Sequence, residues 1–385
     1  MPSILTKRLL EFPGSDGNHS GRERHSRGQH RGAAMSSSGV LWFEQIGRES
    51  VDLVGGKCSG LGEMCKLGVS VPPGFAVTTA AFDEFMEKTG SHARLRELVD
   101  SFPEVPSSAQ VEELGNKLRM VVEGATLPEW LRQIAGEAYI ALSERCGMAD
   151  VSVAVRSSAV AEDMANASFA GQYDSYLNVR TIAEVLDAIR SCWASMFTTR
   201  CISYKLHNGL PIMEGSMSVA VQKMVQARSA GVAFTVNPNT GNASNVVIEG
   251  NWGIGESVVQ GIVSPDRFTV RKETLEVVDV QICRKERQFV FTADGTEEQA
   301  IRPGMQLMPC LTEGESKRLA EIAVKLEEHY GTPLDIEWAV DNDMLFPDNV
   351  FLVQCRPVTT MDNVPRTPAE KIAEMMLSRV FPINL

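Results

Sequence analysis

Val350-Phe351-Leu352-Val353-Gln354-Cys355-Arg356-Pro357 closes the strongly patterned part of this 385-residue chain, and Asp335-Ile336-Glu337-Trp338 stands just ahead of it. Both stretches read as strands of one hairpin. Paired, they set two carboxylates, an amide oxygen and a guanidinium at neighbouring strand ends. Magnesium takes oxygen ligands and keeps waters and substrate phosphates in its shell, so one or two carboxylates plus an amide suffice to hold it. A guanidinium beside them offers a planar fork to phosphoryl oxygens. The hairpin therefore predicts a seat for a magnesium-bound polyphosphate, and the chain is expected to handle a nucleotide.

Upstream, Thr312 and Glu315 open a boxed helix that runs to Tyr330 and stops at Gly331. Strands are expected at 217–225, 231–236 and 245–249, separated by Gly, Asn and Pro signals. Thr181 and Glu184 form a second capping box, followed by an apolar face of Val185, Ile189, Cys192, Trp193, Met196 and Phe197. Val151–Val155 reads as a buried strand that delivers Arg156 and Ser157 to its end. Residues 91–147 read as a helical insert, and 57–67 as a helix stopped by Gly68. This mixture predicts an α+β protein with clefts between its lobes. The expected division is a tail over 1–34, an N-terminal lobe with the helical insert over 35–215, a C-terminal lobe with the metal site over 216–360, and a tail over 361–385.

The apolar and charged fractions, 43% and 22%, are those of an ordinary globular protein. A net charge of -12 argues against a nucleic-acid surface, which needs clustered Lys and Arg. The eight cysteines form no C-x-x-C pair and no metal array with the histidines, which fits a reducing cytoplasm. No apolar run reaches the roughly 18–20 residues of a membrane helix. Residues 1–34 are rich in Gly, Ser, Arg and His without apolar periodicity, so they are expected to be a disordered tail, and Met35 is the expected natural start.

Four further stretches carry candidate chemistry. Gly55-Gly56-Lys57 enters a helix, where a lysine and the helix N-terminus can meet a phosphate, although Val51 stands where a Walker loop needs glycine. A tight turn with a solvated lysine explains it equally well. Val155-Arg156-Ser157-Ser158 offers guanidinium and hydroxyl donors to phosphate oxygens; a structural bridge from Arg156 to Glu162 or Asp163 is the plainer alternative. The backbone from Gln222 through Lys223 and Met224 to Val225 can read an adenine edge with Met224 as a soft wall, while core packing is the commoner role for such residues. Trp252-Gly253-Ile254-Gly255-Glu256 brings backbone close to a ligand but lacks the third glycine of a dinucleotide fingerprint. The six histidines are scattered, and no Ser-His-Asp or Cys-His set can be argued from their spacing.

In order, G-G-K at 55–57, V-R-S-S-A at 155–159, S-F-A-G-Q at 168–172, V-Q-K-M-V at 221–225, G-V-A-F-T at 231–235, W-G-I-G-E at 252–256, D-I-E-W at 335–338 and Q-C-R-P at 354–357 resemble the N-terminal nucleotide-binding domain of the phosphoenolpyruvate synthase and pyruvate phosphate dikinase family. The resemblance runs from about 43 to 358 and implies an ATP-grasp fold closing over ATP and magnesium. It implies that Lys57, Arg156 and Arg356 contact phosphates and act in catalysis, and that Glu337 and Gln354 bind the metal with Asp335 nearby. Gln222, Lys223, Met224, Val225, Thr235 and Glu256 fall among the implied nucleotide contacts. Cys58, Asn237 and Cys355 depart from the residues usual in the family, and the 342–349 turn is longer; none of these removes a charged ligand.

Family members that complete a reaction carry a swivelling domain with a phosphorylatable histidine, and no histidine here follows a Gly-Gly pair at the right distance. The histidine is therefore expected on a partner subunit. That organisation resembles the split phenylphosphate synthases, so the leading expectation is transfer of the β-phosphoryl of ATP to a partner's histidine and then to phenol, with release of AMP and phosphate. One alternative is the nucleotide domain of a pyruvate, water dikinase-like enzyme that uses pyruvate; another is a non-catalytic nucleotide-sensing subunit.

Overall fold

The computed structural model describes residues 39–103, 105–160, 172–292 and 295–358, together with the backbone of two short strands at 163–164 and 167–168. The expected tails over 1–34 and 361–385, Met35, Glu162 and residues 169–171 lie outside the described residues.

The chain opens with β1 (Val40–Trp42), α1 (Val51–Lys66) and β2 (Gly74–Val77). Four helices follow: α2 (Thr79–Lys88), α3 (Ser91–Asp100), α4 (Ser108–Glu123) and α5 (Glu129–Arg145). The last three are the insert read from the sequence. Next come β3 (Val153–Ala159), β4 (Asp163–Met164), β5 (Ala167–Ser168), β6 (Ser175–Val179), α6 (Ile182–Ala194), α7 (Thr199–His207) and β7 (Met217–Lys223). Strands β1, β2, β7, β3 and β6, in that order, make one antiparallel sheet. The second half contains β8 (Ala227–Phe234), β9 (Asn245–Trp252), α8 (Glu256–Val259), β10 (Asp266–Arg271) and β11 (Val277–Gln281). It continues through β12 (Arg287–Thr292), β13 (Gly295–Ala300), α9 (Glu313–Tyr330), β14 (Leu334–Asp341) and β15 (Val350–Pro357). A six-stranded sheet runs β11-β10-β9-β8-β14-β15, and β12 and β13 form a separate hairpin. The architecture is α+β, with mixed helices and antiparallel sheets.

Strand β7 sits between β2 and β3 in the first sheet. The expected lobe boundary at 215/216 therefore cuts a sheet, and the passage between sheets falls in the 224–226 link. The reason is hydrogen bonding: Gln222 pairs with Gly74 on one side and Ala154 on the other, so 217–223 is a central strand of the earlier half.

Local signals set the helix starts. Thr312 Oγ1 accepts from Glu315 N at 3.2 Å and Glu315 Oε2 accepts from Thr312 N at 2.8 Å, the reciprocal box read from the sequence. At α6 the box is shifted. Thr181 Oγ1 takes Glu184 N at 3.2 Å, but the Glu184 carboxylate accepts from Arg180 N, one residue before the cap.

Two large cores and a small cluster of Val225, Ala230 and Ala339 hold the sheets among the described residues. One fills the space between the first sheet and α2–α7, with Phe85 stacked on Trp193 at 4.9 Å between ring centroids. The other is continuous across both sheets through α1. Val54, Cys58, Leu61 and Met64 of that helix pack with Ala76 and Ala220 of the first sheet and with Ile336, Leu352 and Cys355 of the second.

Candidate nucleotide-binding site

The hairpin of β14 and β15 forms as expected, with one irregularity that shapes the site. Asp335 lies opposite Arg356 and Glu337 opposite Gln354, but Trp338 lies opposite Leu352, so Val353 is an extra residue in β15. Before the bulge, Val350 and Leu352 face the core; after it Cys355 does. Gln354 and Arg356 thereby turn onto the face that carries Asp335 and Glu337.

Arg356 binds Asp335 Oδ2 through Nε at 2.9 Å and Nη2 at 2.7 Å. Burial pushes the Asp335 carboxyl above its ordinary value; the Arg356 guanidinium opposes this and the Glu337 charge adds to it. The two carboxylates thus feel each other across one strand face.

Arg156 reaches this corner from the first sheet. Its Nη2 lies 3.0 Å from Gln354 Oε1 and 3.2 Å from Glu337 Oε2, and its Nη1 donates to the Val353 carbonyl at 3.4 Å. The bulged residue therefore supplies an acceptor as well as a phase change. The Nζ of Lys57 donates to the carbonyl of Ser157, next to Arg156, at 3.0 Å.

Gly55 explains how α1 brings Lys57 there. It adopts φ +69° and ψ 174° inside the helix, and a Cβ on it would stand 2.0 Å from the Ser158 carbonyl oxygen. Ser158 Oγ ties the break down, donating to Val54 O at 2.7 Å and accepting from Cys58 N at 3.1 Å. Gly55→Ala is expected to cost about 1–3 kcal/mol from the backbone conformation alone, with more from the contact with Ser158. Urea denaturation and nucleotide titration should both register the loss.

A cavity of about 520 Å³ opens beside the Arg156 corner. Ala154, Arg156, Tyr176 and Gln222 line it from the first sheet, Val225 from the link, and Glu337, Ala339 and Val353 from the second sheet. Ile254 and Glu256 close one side, Phe291 and Thr296 of the β12–β13 hairpin another. Its volume and largely apolar lining with a few polar groups are those of a small-ligand site. Where β7 passes into the link, the amides of Lys223 and Met224 are already committed to Pro73 O and Ser152 O at 2.9 and 2.8 Å. Pro73 has no N–H to return to Lys223.

The structure thus brings Arg156, Gln222, Lys223, Met224, Val225, Glu256 and Glu337 to one cavity, with Gln354, Asp335 and Arg356 along the adjoining strand face. Thr235 is not brought there. Its hydroxyl donates to Glu327 Oε1 of α9 at 2.7 Å and accepts from Leu334 N at 2.8 Å, and the residue is fully buried. The nucleotide contact expected for it is replaced by a structural tie between β8, β14 and α9.

Among the described residues no three His, Cys, Asp or Glu side chains converge on a common point. The residues present nonetheless fit magnesium: Glu337 and the Gln354 amide oxygen offer two hard oxygen donors side by side on one face of the β14–β15 hairpin, and such an ion draws its remaining ligands from water and phosphate. The sequence reading missed the ion pair of Lys285 and Asp266, 2.6 Å apart with both side chains wholly buried, which anchors the base of the β12–β13 hairpin.

Two sheets thus meet over a basic and acidic corner beside an apolar cavity, the layout of a nucleotide-binding domain. The chain belongs to the pyruvate phosphate dikinase AMP/ATP-binding domain family, whose pattern matches residues 51–376. It is 42% identical over 369 residues to a probable phosphoenolpyruvate synthase of Staphylothermus marinus, covering 90% of this chain and 44% of that protein. A probable phosphoenolpyruvate synthase of Methanocaldococcus jannaschii is 41% identical over 84% of this chain and 27% of its own length. The phosphoenolpyruvate synthase of Aeropyrum pernix is 38% identical over 83% and 42%. The chain therefore spans less than half the length of these relatives. Their names match the phosphoenolpyruvate synthase alternative better than the leading expectation of a phenylphosphate synthase. No helix among the described residues is long and apolar enough to cross a membrane.

Proposed function

We propose that this chain is the ATP-binding, ATP-grasp part of a phosphoenolpyruvate synthase-like dikinase, delivering the β-phosphoryl of ATP to a histidine on a separate domain or subunit. The supporting observation is the meeting of Arg156 with Glu337 and Gln354 at the mouth of the apolar cavity.

In this reading the adenine lies against Met224, Val225 and Ile254 with its polar edge toward the 222–225 backbone, and Glu256 faces the ribose end. The triphosphate runs toward Arg156, Lys57 and Arg356. Glu337 and Gln354 would hold magnesium, which neutralises phosphate charge when bound. The protein's own contribution is to align the phosphates and to fix donors where charge develops. A neutral imidazole nitrogen attacks the β-phosphorus, the bond to the α-phosphate oxygen breaks, and AMP departs with the electron pair. Hydrolysis of the resulting pyrophosphohistidine releases orthophosphate and leaves phosphohistidine for transfer to pyruvate.

The test is incubation with ATP labelled at the β position, magnesium and a histidine-domain partner. AMP and acid-labile label on the partner are expected, followed by labelled phosphoenolpyruvate when pyruvate is added. Label retained on this chain without a partner contradicts the proposal, and labelled phenylphosphate from phenol in place of phosphoenolpyruvate overturns the acceptor.

A further inference from the structure

We infer that Arg156 is a built-in counter-ion of the metal corner, occupying the oxygens of Glu337 and Gln354 until nucleotide phosphate draws it away, so that metal and nucleotide load the site together. This inference rests on the metal reading given above and adds a rule for how the site fills.

The distances carry the argument. One guanidinium nitrogen, Nη2, stands 3.2 Å from Glu337 Oε2 and 3.0 Å from Gln354 Oε1. Magnesium sits about 2.0–2.1 Å from its oxygen ligands. An ion placed on both of these oxygens enters the space that Nη2 fills, or stands against a like charge at contact range. The ion and Arg156 therefore exclude one another on this pair of oxygens. The Arg156 and Glu337 side chains are each more than four-fifths buried, so bulk water does little to screen the conflict.

A phosphate resolves it, because the planar fork of arginine matches phosphoryl oxygens as well as it matches a carboxylate. Nucleotide that engages Arg156 frees Glu337 and Gln354, and an ion that takes those oxygens frees Arg156 for phosphate. Coupling of this kind is reciprocal: each ligand tightens the other by the same factor. Arg156 also reports across the structure, since it belongs to β3 while its partners belong to β14 and β15. Releasing it unties the first sheet from the second at the cavity mouth, and the 3.4 Å contact to Val353 O is lost with the others.

Manganese, an ion visible by electron paramagnetic resonance, can stand in for magnesium in a titration of the full chain without nucleotide. Arg156→Gln and Arg156→Met should each bind manganese about tenfold or more tightly than the native chain, the scale of losing one competing charge-assisted contact. Adding Glu337→Gln to either variant should remove that gain. Thermal melting followed by circular dichroism confirms that each variant is folded. If both Arg156 variants bind manganese no better than the native chain while Glu337→Gln alone weakens it, the inference is overturned and the metal site stands. If Glu337→Gln leaves manganese binding unchanged in every background, the metal reading falls and takes the inference with it.

Discussion

Arg356→Ala should reduce AMP release from ATP, measured with the histidine partner present, by at least about 10²–10³-fold while the chain still folds, because the role proposed for this guanidinium is a fixed donor to developing phosphoryl charge and such a donor is worth roughly that much. The side chain lies on the cleft face of β15, two pairing steps from Gln354, and its fork is held by Asp335. Some stability goes with it. Burial already holds the Asp335 carboxyl above its ordinary value, and Arg356 is the group that restrains this rise. Without the guanidinium the folded-state value climbs further. A carboxyl raised on folding stabilises only while it is protonated in both states, so the variant's deficit should be small in acid and grow as pH rises past the ordinary aspartate range through the folded value. Adding Asp335→Asn should return stability near neutral pH and leave turnover lost. Urea denaturation across pH together with an AMP assay reads both effects, and near-native turnover in Arg356→Ala would remove this residue from the chemistry.

Lys285→Met should be the most destabilising of the single changes considered, at about 3–5 kcal/mol, because it strands a buried carboxylate. Asp266 and Lys285 are both wholly buried and 2.6 Å apart. Asp266 also accepts from the amides of Cys283 at 3.0 Å and Cys310 at 2.8 Å, so its charge is held in place by backbone that cannot move off. Lys285→Met combined with Asp266→Asn should recover part of the loss, since the amide keeps one acceptor and carries no charge. Chemical denaturation of the three forms measures this. A cost below about 1 kcal/mol for the single change would mean that the pair is solvated in solution.

Much of this was legible in the chain. The hairpin of 335–338 and 350–357, the Thr312 box and the helical insert each rest on a local pattern, and local patterns survive folding. Several of the motifs reach the cavity wall, since Arg156, residues 222–225, Ile254–Glu256 and Glu337–Trp338 all line it. What could not be read depended on long-range partners. Strict alternation along β15 would place Gln354 and Arg356 on the face of Leu352, and only pairing with β14 reveals the bulge at Val353 that redirects them. Thr235 has the composition of a ligand contact, yet Glu327, 92 positions away, captures its hydroxyl. Arg156 looked as able to pair with nearby acids as with phosphate; its partners lie 181 and 198 residues downstream. Among the strands from 266 to 300 that escaped notice, β11 and β13 are mostly exposed and carry no continuous apolar run. The lobe boundary was misplaced for a related reason: Val219 and Val221 gave a strand, but nothing local says which sheet a strand joins.

Helix α1 makes the molecule indivisible. Its inner side is lodged against Ala76 and Ala220 on one flank and Ile336, Leu352 and Cys355 on the other. A cut in the 224–226 link would yield two polypeptides, each containing an intact sheet, yet the first would expose the greasy side of α1 and the second the trough that receives it. Neither piece has a substitute neighbour to offer, so halves made apart would have to find one another before either could settle. Gene fusions that graft this module onto a new phosphoryl acceptor therefore have to carry residues 40–357 as a single block.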